Sequence, residues 1–240
     1  MRVIERDLVD IRELLKKETL PEKNLFDTLW EKELSLAFCT LLSGNFGRYE
    51  YGKLKPAAAA MELLNLAVGR HYYELQDKRP IPKKVQVDLA LISGDYYYAK
   101  AIILVVPLGK EVVRIGANAI AKVSEGEITD ETTSPSSDFQ RFCDKIRLRS
   151  ALYAASFELG CLLGDVISSL SHQLSRLGEC LGALTLLNGA EKVLPEWRSL
   201  ATKSFQEESL KILDILPKGN GRDTLHGYVT KRYEPFFNEV

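Results

Sequence analysis

Charge of one sign is the first thing this chain lacks. Its 240 residues carry 32 lysines and arginines against 33 aspartates and glutamates, a formal net charge of −1. So even a balance argues against general nucleic-acid binding, which needs a basic face. Cysteine is scarce, and Cys39, Cys143, Cys161 and Cys180 form no C-x-x-C pair. They read as small core residues of a reduced, cytoplasmic protein. His71, His172 and His226 stand far apart, without the H-E-x-x-H spacing that puts two imidazoles on one helix face. No zinc site is expected. No serine sits in G-x-S-x-G, and Gly52-Lys53 lacks the upstream glycine and following Ser or Thr of a phosphate loop. Lys218-Gly219-Asn220-Gly221-Arg222 is Gly-rich and basic but reads as a helix-to-helix turn. The N-terminus, MRVIERDLVDIREL, is too charged for a signal peptide. Repeats and low-complexity tracts are missing too. The most apolar window, 87–106, holds Asp88, Asp95 and Lys100, so no membrane span is expected.

What is abundant is apolar periodicity of the helical kind. Ile4, Leu8, Ile11 and Leu15 share one face of a first helix that ends before Pro21. Phe26, Leu29, Trp30, Leu34, Phe38 and Leu41 form the next stripe, with Gly44 as its stop. GNFGRYEYGKLKP reads as a loop, and AAAAMELLNLAVGRHYYELQ as a helix by propensity. DKRPIPKK ends that helix. VVRIGANAIAKVSEGEI is amphipathic, and TDETTSPSSD is a surface loop able to cap the next helix. Leu152, Ala155, Leu159, Leu162, Leu163, Val166 and Leu170 recur at helical spacing, and Leu174, Leu177, Leu181 and Leu184 continue it. Pro195 opens a further helix that stops at LPKGNGRD, and a last one covers about 224–233. The expected fold is all-α, about ten helices in a single domain over residues 1–240.

The stretch from Val87 to Ile103, VDLALISGDYYYAKAII, is the most informative. Leu89, Ile92, Tyr96, Tyr97, Ala99 and Ile103 keep rough i, i+3, i+4 spacing, which predicts a buried helix. IILVV at 102–106 reads equally as a short strand. Gly94 costs about 1 kcal/mol against Ala inside a helix, so close packing should require it. Asp95 in so apolar a helix is expected to be paired or to line a cavity. Tyr96, Tyr97 and Tyr98 point about 100° apart on a helix, so one of them should face away from the core.

LALISGDYYYAKA resembles the helix of trans-isoprenyl diphosphate synthases that reads roughly A-I-L-x-G-D-Y-L. Further stretches are similar to that family, in family order. GKLKP at 52–56 resembles the G-G-K-x-x-R-P diphosphate motif, one residue short, with Lys53 and Lys55 at its basic positions. SEGEI at 124–128 resembles its E-G-E stretch, and ALYAASFELGCLLG the helix after its Lys-Thr pair. Gly178-x-x-Leu181-Gly182 resembles the G-x-x-L-G before its second aspartate motif, and the C-terminal ESLKILDILPKGNGRDTLHGYVTKRY its closing helices. The resemblance implies an isoprenoid-synthase helical bundle. It also implies diphosphate contacts at Lys53, Lys55 and Arg79, the last at the position of an arginine pair. Dimers in that family pack through the Gly-Asp helix, which implies an interface at Tyr96, Tyr97, Tyr98 and Ile102.

The departures bear on function. The family's two D-D-x-x-D motifs fall here on Tyr72, Tyr73, Glu74, Leu75, Gln76 and on Gly189, Ala190, Glu191, Lys192, Val193. Aspartates at i and i+4 would share a helix face and hold Mg²⁺ through about six oxygens with diphosphate and water. Neither set can be built from these residues. The Phe-Gln before the second motif is Thr185-Leu186, and the Lys-Thr pair is Leu148-Arg149. The resemblance is strongest to the small component, component I, of bacterial heptaprenyl diphosphate synthase, which serves menaquinone side-chain synthesis. It implies a chain inactive alone that binds no cofactor, its Mg²⁺ held by a catalytic large subunit. The alternatives are a homodimer that binds an isoprenoid or prenyl diphosphate, and an enzyme of the same fold with altered chemistry.

Overall fold

The computed structural model describes residues 2–19, 34–72, 83–132, 138–188 and 194–237. These form ten α-helices and, among the described residues, no strand. In chain order they are α1 (Arg2–Glu18), α2 (Ser35–Gly44), α3 (Tyr51–Tyr72), α4 (Lys83–Val105) and α5 (Lys110–Thr132). They continue as α6 (Phe139–Arg149), α7 (Ala151–Leu163), α8 (Ser168–Asn188), α9 (Pro195–Ile215) and α10 (Asn220–Phe237). The all-α expectation therefore holds, and IILVV is helical to Val105 before a 3-10 turn over Val106–Leu108. Proline at 107 and glycine at 109 end the helix there, as their chemistry requires.

Two boundaries differ from the sequence reading. Tyr51 to Pro56 opens α3 rather than forming a loop. Pro56 lies inside the helix, so the Gly52 carbonyl goes without the N–H donor four residues on. The leucine repeat from 152 to 170 also crosses a break, at Gly164 and Asp165, the latter with φ 53°. Spacings of three and four continue through that turn, so periodicity alone could not show it. The stripe proposed for Phe26, Leu29 and Trp30 lies outside the described residues.

The core is one cluster around α2, α3, α7 and α8. α2 and α7 approach closely because Gly160 faces Thr40 and Ser43, and Gly164 faces Gly44. α7 and α8 do the same through Gly178 and Gly182, which lie against Tyr153, Ala154 and Ser150. The G-x-x-L-G stretch is thus a packing surface, with Leu181 fully buried between its glycines. Cys39, Cys161 and Cys180 are core residues, and all four cysteines are free. Burial pushes the thiols of Cys161 and Cys180 up to about 12, so neither is a ready nucleophile.

Candidate functional site

The basic residues 48–55 stand on a well-anchored turn. Tyr49 donates its hydroxyl to Asp7 Oδ2 at 2.7 Å, and Tyr51 donates to the Asp7 carbonyl at 3.2 Å. The Arg48 N–H donates to the Gly164 carbonyl at 2.6 Å. This fixes the start of α3 against α1 and α7. From it Lys53 and Lys55 project in the first turn of the helix. Lys53 Nζ meets Glu50 Oε2 at 2.7 Å, and Arg48 Nε meets Glu50 Oε1 at 3.2 Å. Lys53 holds the Glu50 carboxyl below the usual carboxylate range. Lys55 Nζ lies 5.7 Å from the centre of the Tyr51 ring. Sequence reading found the two lysines and missed Arg48 and Glu50. The signal was there, since Glu50 and Lys53 have the i, i+3 spacing of a helical ion pair. Arg79 lies outside the described residues.

Of the two metal-motif positions, 73–76 and 189–193 also lie outside the described residues, and Tyr72 ends α3. Among the described residues no three His, Cys, Asp or Glu side chains gather into a metal site. Arg149, at the place of the Lys-Thr pair, is held by Glu127, with Nε 2.7 Å from Oε1. The two side chains are 20% and 13% exposed, so a carboxylate of SEGEI offsets this cation inside the bundle. A small apolar pocket between α3, α4, α5 and α7 is lined by Met61, Leu64, Ile102, Val105, Val113 and Leu159. Its volume is about 10 Å³, room for one water and far too little for a prenyl chain.

The helix that carries Gly94 and Asp95 has two faces. Ala90, Ser93, Gly94, Tyr97, Ala101 and Val105 face inward, most of them small. Of the stripe expected to be buried Tyr97 is inside and Tyr96 half-buried, but the rest of it points out: Leu89, Ile92 and Ile103 are 41%, 66% and 64% exposed. With Val85, Tyr96, Ala99 and Val106 it steps by 4, 3, 4, 3, 4 and 3, a heptad-like seam along the outside of α4. Gly94 does allow a close approach, since a Cβ there would fall 2.1 Å from His71 Cδ2. Asp95 is paired as expected, with Oδ1 3.3 Å from His71 Nε2, but it is largely exposed. Of the tyrosines, Tyr97 is fully buried in the core and so cannot meet a partner, which removes it from the expected interface. Tyr96 is half-buried and donates to the Glu18 carbonyl, while Tyr98 is exposed. Ile102 is partly buried in the pocket wall. By length and composition Val87–Leu108 is apolar enough to cross a membrane, with 33% of the window buried. Here it packs along α3 as a helix of the bundle.

No protein-family model matches the chain. It is 29% identical over 152 residues to heptaprenyl diphosphate synthase component 2 of Geobacillus stearothermophilus, a match covering 59% of this chain and 48% of that one. It is 28% identical over 141 residues to geranylfarnesyl diphosphate synthase of Methanosarcina mazei, covering 55% and 48%. The matched stretch thus spans about half the length of these relatives. The fold matches a decaprenyl diphosphate synthase from Rhodobacter capsulatus with a TM-score of 0.77 at 18% identity, covering 96% and 97% of the chains. It matches the small subunit of a geranyl diphosphate synthase from Antirrhinum majus with a TM-score of 0.69 at 19% identity, covering 95% and 96%. The homologues are trans-isoprenyl diphosphate synthases, and the fold is the helical bundle of those structures. The matching Geobacillus chain is component 2, where the sequence resemblance had pointed to component I. Homology therefore places the chain beside the synthases at large.

Proposed function

We propose that this chain is the non-catalytic subunit of a two-component polyprenyl diphosphate synthase of the heptaprenyl kind. It supports activity and product length in a catalytic large subunit that makes isoprenoid side chains such as those of menaquinone, in the cytoplasm. The observation that carries this reading is the residue content where the resembled synthases have their aspartates: Tyr72, Tyr73 and Gln76 in one motif, Gly189, Ala190 and Val193 in the other. Magnesium has to offset the charge of the departing diphosphate as the allylic carbon ionises, and an ion bound by oxygen needs those carboxylates. The Mg²⁺ then belongs to the partner.

The outer seam of α4 supports a partner. Exposed Leu89, Ile92, Ile103 and Val106 form an apolar face longer than scattered surface residues produce. A stripe stepping by 3 and 4 suits a helix packed alongside at a shallow angle. Tyr96 lies on this face, Tyr98 and Ile102 lie to its side, and a second copy of this chain competes for the same face.

The test is reconstitution. The pure chain is assayed for Mg²⁺-dependent turnover of farnesyl and isopentenyl diphosphates, alone and mixed with a synthase that carries both aspartate motifs. No product alone and longer product from the mixture is the expected result. Chain elongation by the pure protein would overturn the proposal.

A further inference from the structure

Glu50 occupies the middle of the basic cluster at the start of α3. Its two carboxylate oxygens are each taken by a different cation, Arg48 at 3.2 Å and Lys53 at 2.7 Å. Lys55 lies over the Tyr51 ring, two residues beyond Lys53 and so on another side of the helix. The backbone under this cluster is held by Tyr49 and Tyr51 on α1 and by the Gly164 carbonyl, so the charges are presented on a fixed turn. A carboxylate bridging a guanidinium and an ammonium has the charge and reach of one end of a diphosphate. Beyond it, no heavy atom lies within 4 Å of where a Cβ on Gly52 would be, so the approach is open.

We propose that Glu50 is the resident counter-ion of this anion-binding surface, and that it sets how weakly a diphosphate binds there. The inference rests on reading Lys53 as a diphosphate contact. A diphosphate must displace Glu50 from Arg48 and Lys53, and then meets its repulsion at close range. The chain thus keeps the basic residues of a diphosphate site while an internal anion holds their affinity down. In a subunit that does no chemistry, this would leave the free diphosphates to the partner.

Titration calorimetry with inorganic diphosphate tests this on the full chain at low salt. Removing one negative charge at contact distance is expected to tighten binding about tenfold in Glu50→Gln, because close charges in partly screened surroundings interact that strongly. The gain should shrink as salt is added. Gln keeps the side-chain length and can still accept from Lys53, and circular dichroism checks the fold. Glu111→Gln removes a carboxylate from the remote i, i+3 pair with Arg114, and should give no gain. Adding Lys53→Ala to Glu50→Gln should abolish the gain. Equal affinity in wild type and Glu50→Gln overturns the inference, as does an equal gain in Glu111→Gln. If diphosphate binds wild type, depends on Lys53 and ignores Glu50, the site stands and the counter-ion role falls. If Glu50→Gln binds no diphosphate, both fall.

Discussion

A Cβ built on Gly160 would lie 2.1 Å from the Thr40 carbonyl oxygen, and one on Gly94 2.1 Å from His71 Cδ2. The distances match, but the obstacles differ. Thr40 O is backbone in a packed helix, whereas the His71 ring is a side chain at the surface. Gly160→Ala should lower stability by about 2–3 kcal/mol through overpacking between α2 and α7. Gly94→Ala should stay within about 1 kcal/mol, since gained helix propensity offsets a displaced ring and its contact with Asp95. Urea unfolding of the two variants checks this, and equal losses would contradict it. Glu62 gives a second prediction at this scale. Its carboxylate is buried and accepts the Ala37 N–H at 2.9 Å, capping α2 from α3 because Leu34 offers no side-chain cap. Burial pushes its pKa up to about 7, and the N–H donors of Ala37 and Leu36 offset only part of that. The folded state therefore holds this proton more tightly than the unfolded chain. The resulting stability is fully present below the ordinary carboxylate pKa of 4.5 and is lost as pH rises to about 7. Glu62→Gln keeps an acceptor without the charge, so its stability relative to wild type should rise by up to about 3 kcal/mol between pH 4.5 and 8. A constant difference across that range would show that Glu62 does not titrate as buried.

Among the elements, α4 is the unusual one. Apart from Tyr97 and Val105 its inward residues are small, so it lies close along α3, and most of its large aliphatic residues are left outside. A helix with one apolar face completes a monomer, but one with two apolar faces needs a second neighbour. Leu89→Glu with Ile92→Glu, both exposed on the seam, should abolish association with the partner or a second copy while leaving the chain helical. Sedimentation reads the first effect and circular dichroism the second. Ile103→Glu, on the seam itself, should behave alike, because a charge buried in an apolar interface lacks a partner. Unchanged assembly in all these variants would place the interface on another helix. Tyr97→Glu is a different case: it should unfold the protein, since Tyr97 is wholly inside the core.

At the scale of the whole molecule, the departures from the synthase motifs fall at two separate sequence positions. Tyr72→Asp, Tyr73→Asp and Gln76→Asp together should create no prenyl transfer, because the second motif at 189–193 still lacks its carboxylates. Measurable Mg²⁺-dependent elongation by that triple variant would mean that one motif suffices on this fold.

The sequence by itself determined the helices and which residues stand at the two metal-motif positions. Repeats such as Ile4, Leu8, Ile11 and Leu15 bury one face only as helices. It also located Gly94 as a place where something had to come close. Tertiary structure decided which apolar face of α4 turned inward, because periodicity gives the angle between residues and not the side on which α3 lies. It decided that GKLKP begins a helix, since the anchors of that turn, Asp7 and Gly164, are far away in sequence. It decided as well that Glu50 offsets Arg48 and Lys53 and that Glu127 offsets Arg149. Which charges offset one another depends on distances of a few ångström between side chains, and the packing of the bundle sets those distances.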